Sequence, residues 1–291
     1  MATGKELKRR IASVKSSQQI TKAMKMVAAA RLRRSQEAVT RARPFAAAIR
    51  QTVQNLIHNE EIRDFHTLLT KRDVKRVNVI LITSDRGLCG GFNTALIKKA
   101  ELMYRAEASK YEKFEFTCIG KKGYEFLKLR KIPVAEYYTD FQKNLSYAKV
   151  QAVANDVIEL YEKGEYDEIR VIYSEFRSAI SQVPTSLTLL PVDLAQETEE
   201  SAKAPYVDFL YEPSRERILD ELLPRYFKAK LFRALLESAA SENGARMSAM
   251  DNATKNAGEM IKKLNLAYNK IRQGGITTEL LEIVSGAEAL K

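Results

Sequence analysis

Apolar and small residues return mostly at gaps of three or four positions along the first fifth of the chain. The series is Leu7, Ile11, Val14, Met24, Val27, Ala28, Leu32, Ala42, Ala46, Ile49, Val53 and Leu56. This is the stripe of an amphipathic helix. No glycine lies between Gly4 and Gly87, and Pro44 is the only proline in that interval. The spacing predicts one helix to about Ile57, roughly 80 Å long, with a kink or local break at Pro44. Polar residues interrupt the stripe at Ser17, Gln18 and Thr21. A second stripe starts near Arg215 and has no proline after Pro224. It runs through Leu231, Leu235, Ala239, Met247, Met250, Ala257, Met260, Ile261, Leu264, Tyr268, Ile271 and Ile276. A helix of that extent exceeds about 100 Å and finds no globular core along its whole length. The cheapest partner for each long helix is the other, in an antiparallel coiled coil. Small residues at Ala239, Ala240, Ala245, Ala249, Ala253 and Ala257 permit close approach. A bundle of shorter helices needs more turn signals than Gly244, Gly258 and Gly274–Gly275 supply.

The middle of the chain has a different period. Residues 77–83, 114–120, 132–138, 168–176 and 184–192 read as strands, with helical stretches near 94–112, 121–131 and 145–163. Alternating strand and helix gives an α/β layer. The predicted fold is therefore α/β: a long antiparallel two-helix coiled coil from the N- and C-terminal segments, with an inserted α/β (Rossmann-like) domain. The expected boundaries are 1–60 for the first helix, 76–210 for the α/β domain and 211–291 for the last helix.

Charge sharpens this picture. The first 50 residues hold 13 Lys and Arg against two acids, an excess that equals the +11 of the whole chain. The other residues balance to zero. Such a segment suits a polyanion, an acidic protein surface or anionic lipid. Its basic positions between 5 and 34 fall on several sides of the helix, and no aromatic precedes Phe45. An acidic protein surround explains that distribution as well as nucleic acid does. No run of eighteen apolar residues occurs, so no transmembrane segment is expected. The start lacks the apolar core of a secretory signal. Cys89 and Cys118 form no framework or metal-ligand spacing, which points to reduced thiols.

The stretch SDRGLCGGFN (84–93) sits between a strand and a helix, where a phosphate-binding loop would lie. It lacks the Gly-Lys-Ser/Thr that neutralises phosphate and holds magnesium, and it lacks the Gly-x-Gly-x-x-Gly spacing. The favoured reading is a tight crossover, and no cofactor is expected. Cys89 at a helix start is a candidate nucleophile, but the only histidines, His58 and His66, lie outside the α/β block. A small packed residue in a turn is the simpler account. The carboxylate pairs in HNEEIRD and QETEES read as solvated charge.

Four segments, in order and at matching spacing, resemble the gamma subunits of F-type ATP synthases. They are KRRIASVKSSQQITKAMKMVAAARLRRSQ, SDRGLCGGFN, LYEPS at 210–214 and YNKIRQGGITTELLEIVSGA. The likeness spans essentially the whole chain. It implies a non-catalytic central rotor stalk that couples ion flow through the membrane sector to ATP synthesis or hydrolysis in a ring of alpha and beta subunits. Its implied partners are that ring, the epsilon subunit and the c-subunit ring, with no nucleic acid. By motif position, the resemblance implies beta contacts at Met24, Lys25, Lys98, Lys99, Arg272, Gln273, Thr277 and Glu279. It implies c-ring contacts at Tyr211 and Glu212. The regulatory cysteine insertion of plastid gamma chains is absent, so a bacterial chain, peripheral on the cytoplasmic face of the plasma membrane, is expected. Two other classes stay open on residues alone: a basic coiled coil that binds nucleic acid, and an α/β enzyme using the glycine loop.

Overall fold

The structure, a computed structural model, describes residues 4–57, 66–141, 145–193, 212 and 214–288. Helix α1 spans Gly4–Ile57 and runs through Pro44 without ending. The α/β segment follows as β1 (Arg76–Ile82), α2 (Phe92–Glu107), β2 (Lys113–Ile119), α3 (Lys121–Leu129), β3 (Val134–Tyr138), α4 (Tyr147–Glu162), β4 (Glu168–Phe176) and β5 (Gln182–Leu190). Helix α5 spans Arg215–Glu288, 74 residues. The chain divides into two compact units: residues 1–28 with 246–291, and residues 29–245.

In the first unit the start of α1 and the later part of α5 run antiparallel. Lys25 meets Asp251, Gln18 and Thr21 meet Thr254, and Gly4 lies against Tyr268. The polar break in the first stripe is thus a layer within the pair. The Gln18 amide donates to the Thr254 carbonyl at 3.3 Å, and the Thr21 and Thr254 hydroxyls lie 2.8 Å apart. A side chain at Gly258 would reach within 3.0 Å of Gln18, so the helices pass closely there.

The second unit is built on a five-stranded sheet of order β3-β2-β1-β4-β5. The first four strands are parallel and β5 is antiparallel to β4. Alternate residues of β1 feed two cores. Ile80 and Ile82 join Ile49, Val53, Leu56 and Ile57 of α1, Val153 and Val157 of α4, and Leu219, Leu223 and Phe227 of α5. Val77, Val79 and Leu81 join Phe92 and Leu96 of α2 and Leu127 of α3. Burial on both faces explains why β1 is continuously apolar from Val79 to Ile82.

All five predicted strands are present; β4 has the expected bounds, β1 and β2 lie one residue earlier and β5 two residues earlier, and β3 starts two residues later. β3 begins at Val134 rather than Ile132 because the end of α3 uses the intervening backbone. Lys131 takes a left-handed conformation (φ 55). Its N–H bonds the Lys128 carbonyl, and the Ile132 N–H bonds the Leu127 carbonyl. That closes the helix in a Schellman motif, normally glycine's role. Gly164 (φ 73) closes α4 in the same way.

Candidate functional site

The glycine loop leaves the C-terminal end of β1, the place where open α/β sheets bind ligands. Here the Ser84, Cys89 and Asn93 side chains are bonded to one another. The Asn93 carboxamide oxygen accepts the Ser84 N–H at 3.0 Å. Its amide donates to Ser84 Oγ at 2.7 Å and to Cys89 Sγ at 3.2 Å. Ser84 Oγ donates to the Arg86 carbonyl at 2.6 Å. The Asp85 carboxylate accepts the N–H of Lys121 at 3.1 Å and that of Asp140 at 3.2 Å. It thereby caps α3 and ties it to the end of β3, a favourable place for an anion.

Cys89 is buried in the core formed with Phe92 and Leu96, as its simpler reading expects. Among the described residues no histidine activates it. His66 accepts the Leu68 N–H on Nδ1 at 3.1 Å, and its Nε2 faces Asp220 at 3.4 Å. Burial pulls the His66 imidazole below its ordinary value, against the opposing pull of Asp220 and Glu162. Burial pushes the Cys118 thiol up to about 12, so it stays protonated. His58 lies outside the described residues. Among the described residues no group of three or more His, Cys, Asp or Glu side chains could hold a metal ion.

What the loop does expose is Leu88, 65% accessible and left-handed at φ 64. A non-glycine residue in that region costs about 1 kcal/mol. Leu88 gains no burial in return. The glycines most needed for the fold lie elsewhere. Gly87 and Gly91 face open space. At Gly120 (φ 110) a Cβ would fall 2.1 Å from the Thr83 carbonyl oxygen. Sequence reasoning missed Gly120; its one signal is its position between a strand and a helix.

The ten residues carried over from the resemblance fall in different settings. Lys98 is exposed on α2, whereas Lys99 turns inward and donates to the Pro184 carbonyl of β5 at 2.9 Å. Met24 is half-buried on α1. Lys25 bonds Asp251 at 2.6 Å across the helix pair. The hydrogen bonds from Lys25 and Lys255 hold the Asp251 carboxyl below its ordinary range. Arg272, Gln273, Thr277 and Glu279 are all exposed on α5, and the Thr277 hydroxyl donates to the Gln273 carbonyl. Glu212 is exposed; Tyr211 lies outside the described residues.

The later part of α5 carries a further feature. The start of α1 ends its reach near Tyr268. From residue 269 to 287 every position is exposed, including Ile276, Leu280, Leu281, Ile283 and Val284 at 49–68%. Sequence periodicity marked this stretch as helical, and the helix is there. Among the described residues no second helix covers it.

The family profile described as ATP synthase matches residues 3–290. An ATP synthase gamma chain of Bdellovibrio bacteriovorus is 47% identical over 296 residues, covering all of both chains. That of Geotalea daltonii is 48% identical over 291 residues, again covering both completely. Among solved structures, a chain from the central stalk and c-ring of the Tetrahymena thermophila mitochondrial ATP synthase has a TM-score of 0.63 at 28% identity. The match covers 80% of this chain and 99% of that one. A chain of the Euglena gracilis mitochondrial ATP synthase shares the fold, with a TM-score of 0.66 at 22% identity over 99% and 94% of the two chains. With matches of this length and identity, the chain belongs to the ATP synthase gamma-chain family.

Proposed function

We propose that the chain is the non-catalytic central rotor of an F-type ATP synthase. In this reading residues 1–60 and 211–291 form the shaft and residues 76–210 the base. The shaft turns inside the alpha–beta ring and drives beta subunits through successive conformations by differential contact. The base meets the epsilon subunit and the c ring. The chain is peripheral on the cytoplasmic face of a bacterial membrane. None of its helices is long and apolar enough to cross one, among the described residues.

The observation that carries this reading is the uncovered end of α5. An isolated stretch of helix gains little stability from propensity alone, and exposed Leu, Ile and Val add nothing until they are covered. An enclosing sleeve supplies that cover. A smooth apolar stripe also lets the helix turn without strong polar detents. The glycine loop agrees with a non-catalytic chain, because Ser84, Asp85 and Asn93 are bonded within the fold. Met24, Lys98, Arg272, Gln273, Thr277 and Glu279 remain proposed beta contacts, with Lys25 and Lys99 also serving the contacts within the chain described above. Tyr211 and Glu212 remain proposed c-ring contacts.

The test is affinity purification of the tagged full chain from its own cells. Alpha and beta subunits are expected as the main co-purifying proteins, in a complex that hydrolyses ATP. Recovery without them, or with salt-sensitive nucleic acid in their place, refutes the proposal.

A further inference from the structure

Two turns of α5 are keyed to the C-terminal end of β4 by hydrogen bonds to main chain, and this joint has no role in the contacts so far described. β1 ends at Ile82, and its pairing with β4 extends only to Leu81 opposite Ile172. Ser174 lies beyond that end, so β1 offers it no ladder partner. Helix α5 takes over. Ser238 Oγ accepts the Ser174 N–H at 3.1 Å, and Ser241 Oγ donates to the Ser174 carbonyl at 3.0 Å. Ser238 and Ser241 are fully or almost fully buried, and Ser174 is buried with them.

The next residues on the same ridge complete the joint. A Cβ at Gly244 would lie 3.3 Å from the Ala179 carbonyl oxygen and 3.5 Å from the Phe176 ring. The turn between β4 and β5 therefore rests directly on the helix backbone. Ala245 packs into the core that holds Ile172. The spacing 238, 241, 244 places all three on one face of the helix.

Resting on the rotor reading above, we propose that this seam transmits torque between the α/β sheet and α5, with Ser238 and Ser241 as its positioning residues. Apolar side chains pack almost equally well after a small slide or roll. Hydrogen bonds to a fixed main-chain N–H and C=O do not, because their geometry is directional. Rolling α5 by one residue turns its side chains by about 100° and takes both hydroxyls off Ser174. A shaft twisted against a load needs such a joint, whereas an unloaded shaft turns without it.

The experiment uses the assembled membrane complex carrying Ser238→Ala and Ser241→Ala together, read as ATP hydrolysis and as ATP-driven ion pumping in sealed vesicles. Hydrolysis is expected to stay within about two-fold of the parent, while ions pumped per ATP fall by about three-fold or more, a selective loss of loaded work. A purely structural role lowers the amount of complex and both activities together. Equal pumping per ATP in parent and variant overturns the seam and leaves the rotor reading intact. A parent complex that couples pumping to hydrolysis without this chain overturns the rotor reading itself. If the double variant assembles poorly, Ser241→Ala alone keeps the Ser238 bond. It is expected to show a smaller loss of pumping per ATP, and no loss there overturns the proposal.

Discussion

Gly120→Ala is expected to damage the α/β sheet severely, although Gly120 stands outside the glycine-rich loop. The residue caps α3 with φ 110 and ψ 141, a region open essentially only to glycine. Placing alanine there costs about 1–3 kcal/mol in backbone strain. The added methyl would also sit 2.1 Å from the Thr83 carbonyl oxygen and 2.9 Å from Thr83 Oγ1. The first atom is backbone and has no rotamer to retreat into. Relief requires parting the end of β1 from the start of α3. That endangers the Thr83 N–H bond to Ile119, the Thr83 hydroxyl bond to Gly120 and the Gly123 N–H bond to Thr83. At about 1 kcal/mol for each, the total is on the order of 4–6 kcal/mol. A domain's whole stability is typically about 5–15 kcal/mol, so most of it is lost. The assay is urea unfolding of the full chain, followed by tyrosine fluorescence and far-UV circular dichroism. Gly87→Ala and Gly91→Ala are controls, each expected within about 0.5 kcal/mol of the parent because neither meets an atom. A Gly120→Ala chain within about 1 kcal/mol of the parent refutes the argument.

Leu88→Gly is expected to raise the stability of the isolated chain by up to about 1 kcal/mol by removing left-handed strain. It should also weaken assembly if the exposed side chain serves a partner; no gain in the urea midpoint counts against the strain. Lys98→Glu should lower coupling in the assembled complex while leaving the chain's urea midpoint unchanged. Lys99→Glu should lower the midpoint as well, because it removes the bond to Pro184; equal midpoints would show that this bond contributes nothing. Asp167 supplies a pH dependence. Burial pushes its carboxyl up, but hydrogen bonds from Arg76 and the amides of Lys75 and Arg76 outweigh this and hold it below its ordinary range. A depressed carboxyl stabilises the fold fully above its unfolded value of about 3.9, and the contribution is lost as pH falls through the lower folded value. Asp167→Asn should therefore flatten the acid limb of a plot of urea midpoint against pH, and an unchanged acid limb would remove Asp167 as a cause.

The long-range architecture was legible because periodicity is a property of many residues at once. The start of α5 at Arg215, the end of α1 at Ile57 and the five strands all follow from stripes and runs. Single contacts were not legible. By motif position Lys98 and Lys99 read alike, yet one is exposed and the other reaches β5. Lys25 was assigned outward by motif position, while its nearest acid, Asp251, lies 226 positions away in the sequence. The glycine loop drew attention through its density of glycines. The strict requirement falls on Gly120, which only the approach of Thr83 reveals.

The same distinction explains why polar residues stand on a stripe that would bury more apolar surface without them. A helix pair patterned only by small and aliphatic residues at three- and four-residue spacing has several registers of nearly equal packing. Sliding α5 by one heptad would bring Ile261 to the place of Thr254 and Gly258 to the place of Asp251. The Thr21 hydroxyl would then lose its partner hydroxyl at Thr254, and Lys25 would face a glycine instead of a carboxylate. The polar layer therefore contributes less to the total stability of the pair than to the gap between its correct register and the next. For a shaft that gap matters more than stability. A pair that slips under load remains folded and still turns, but the angle at one end no longer reports the angle at the other.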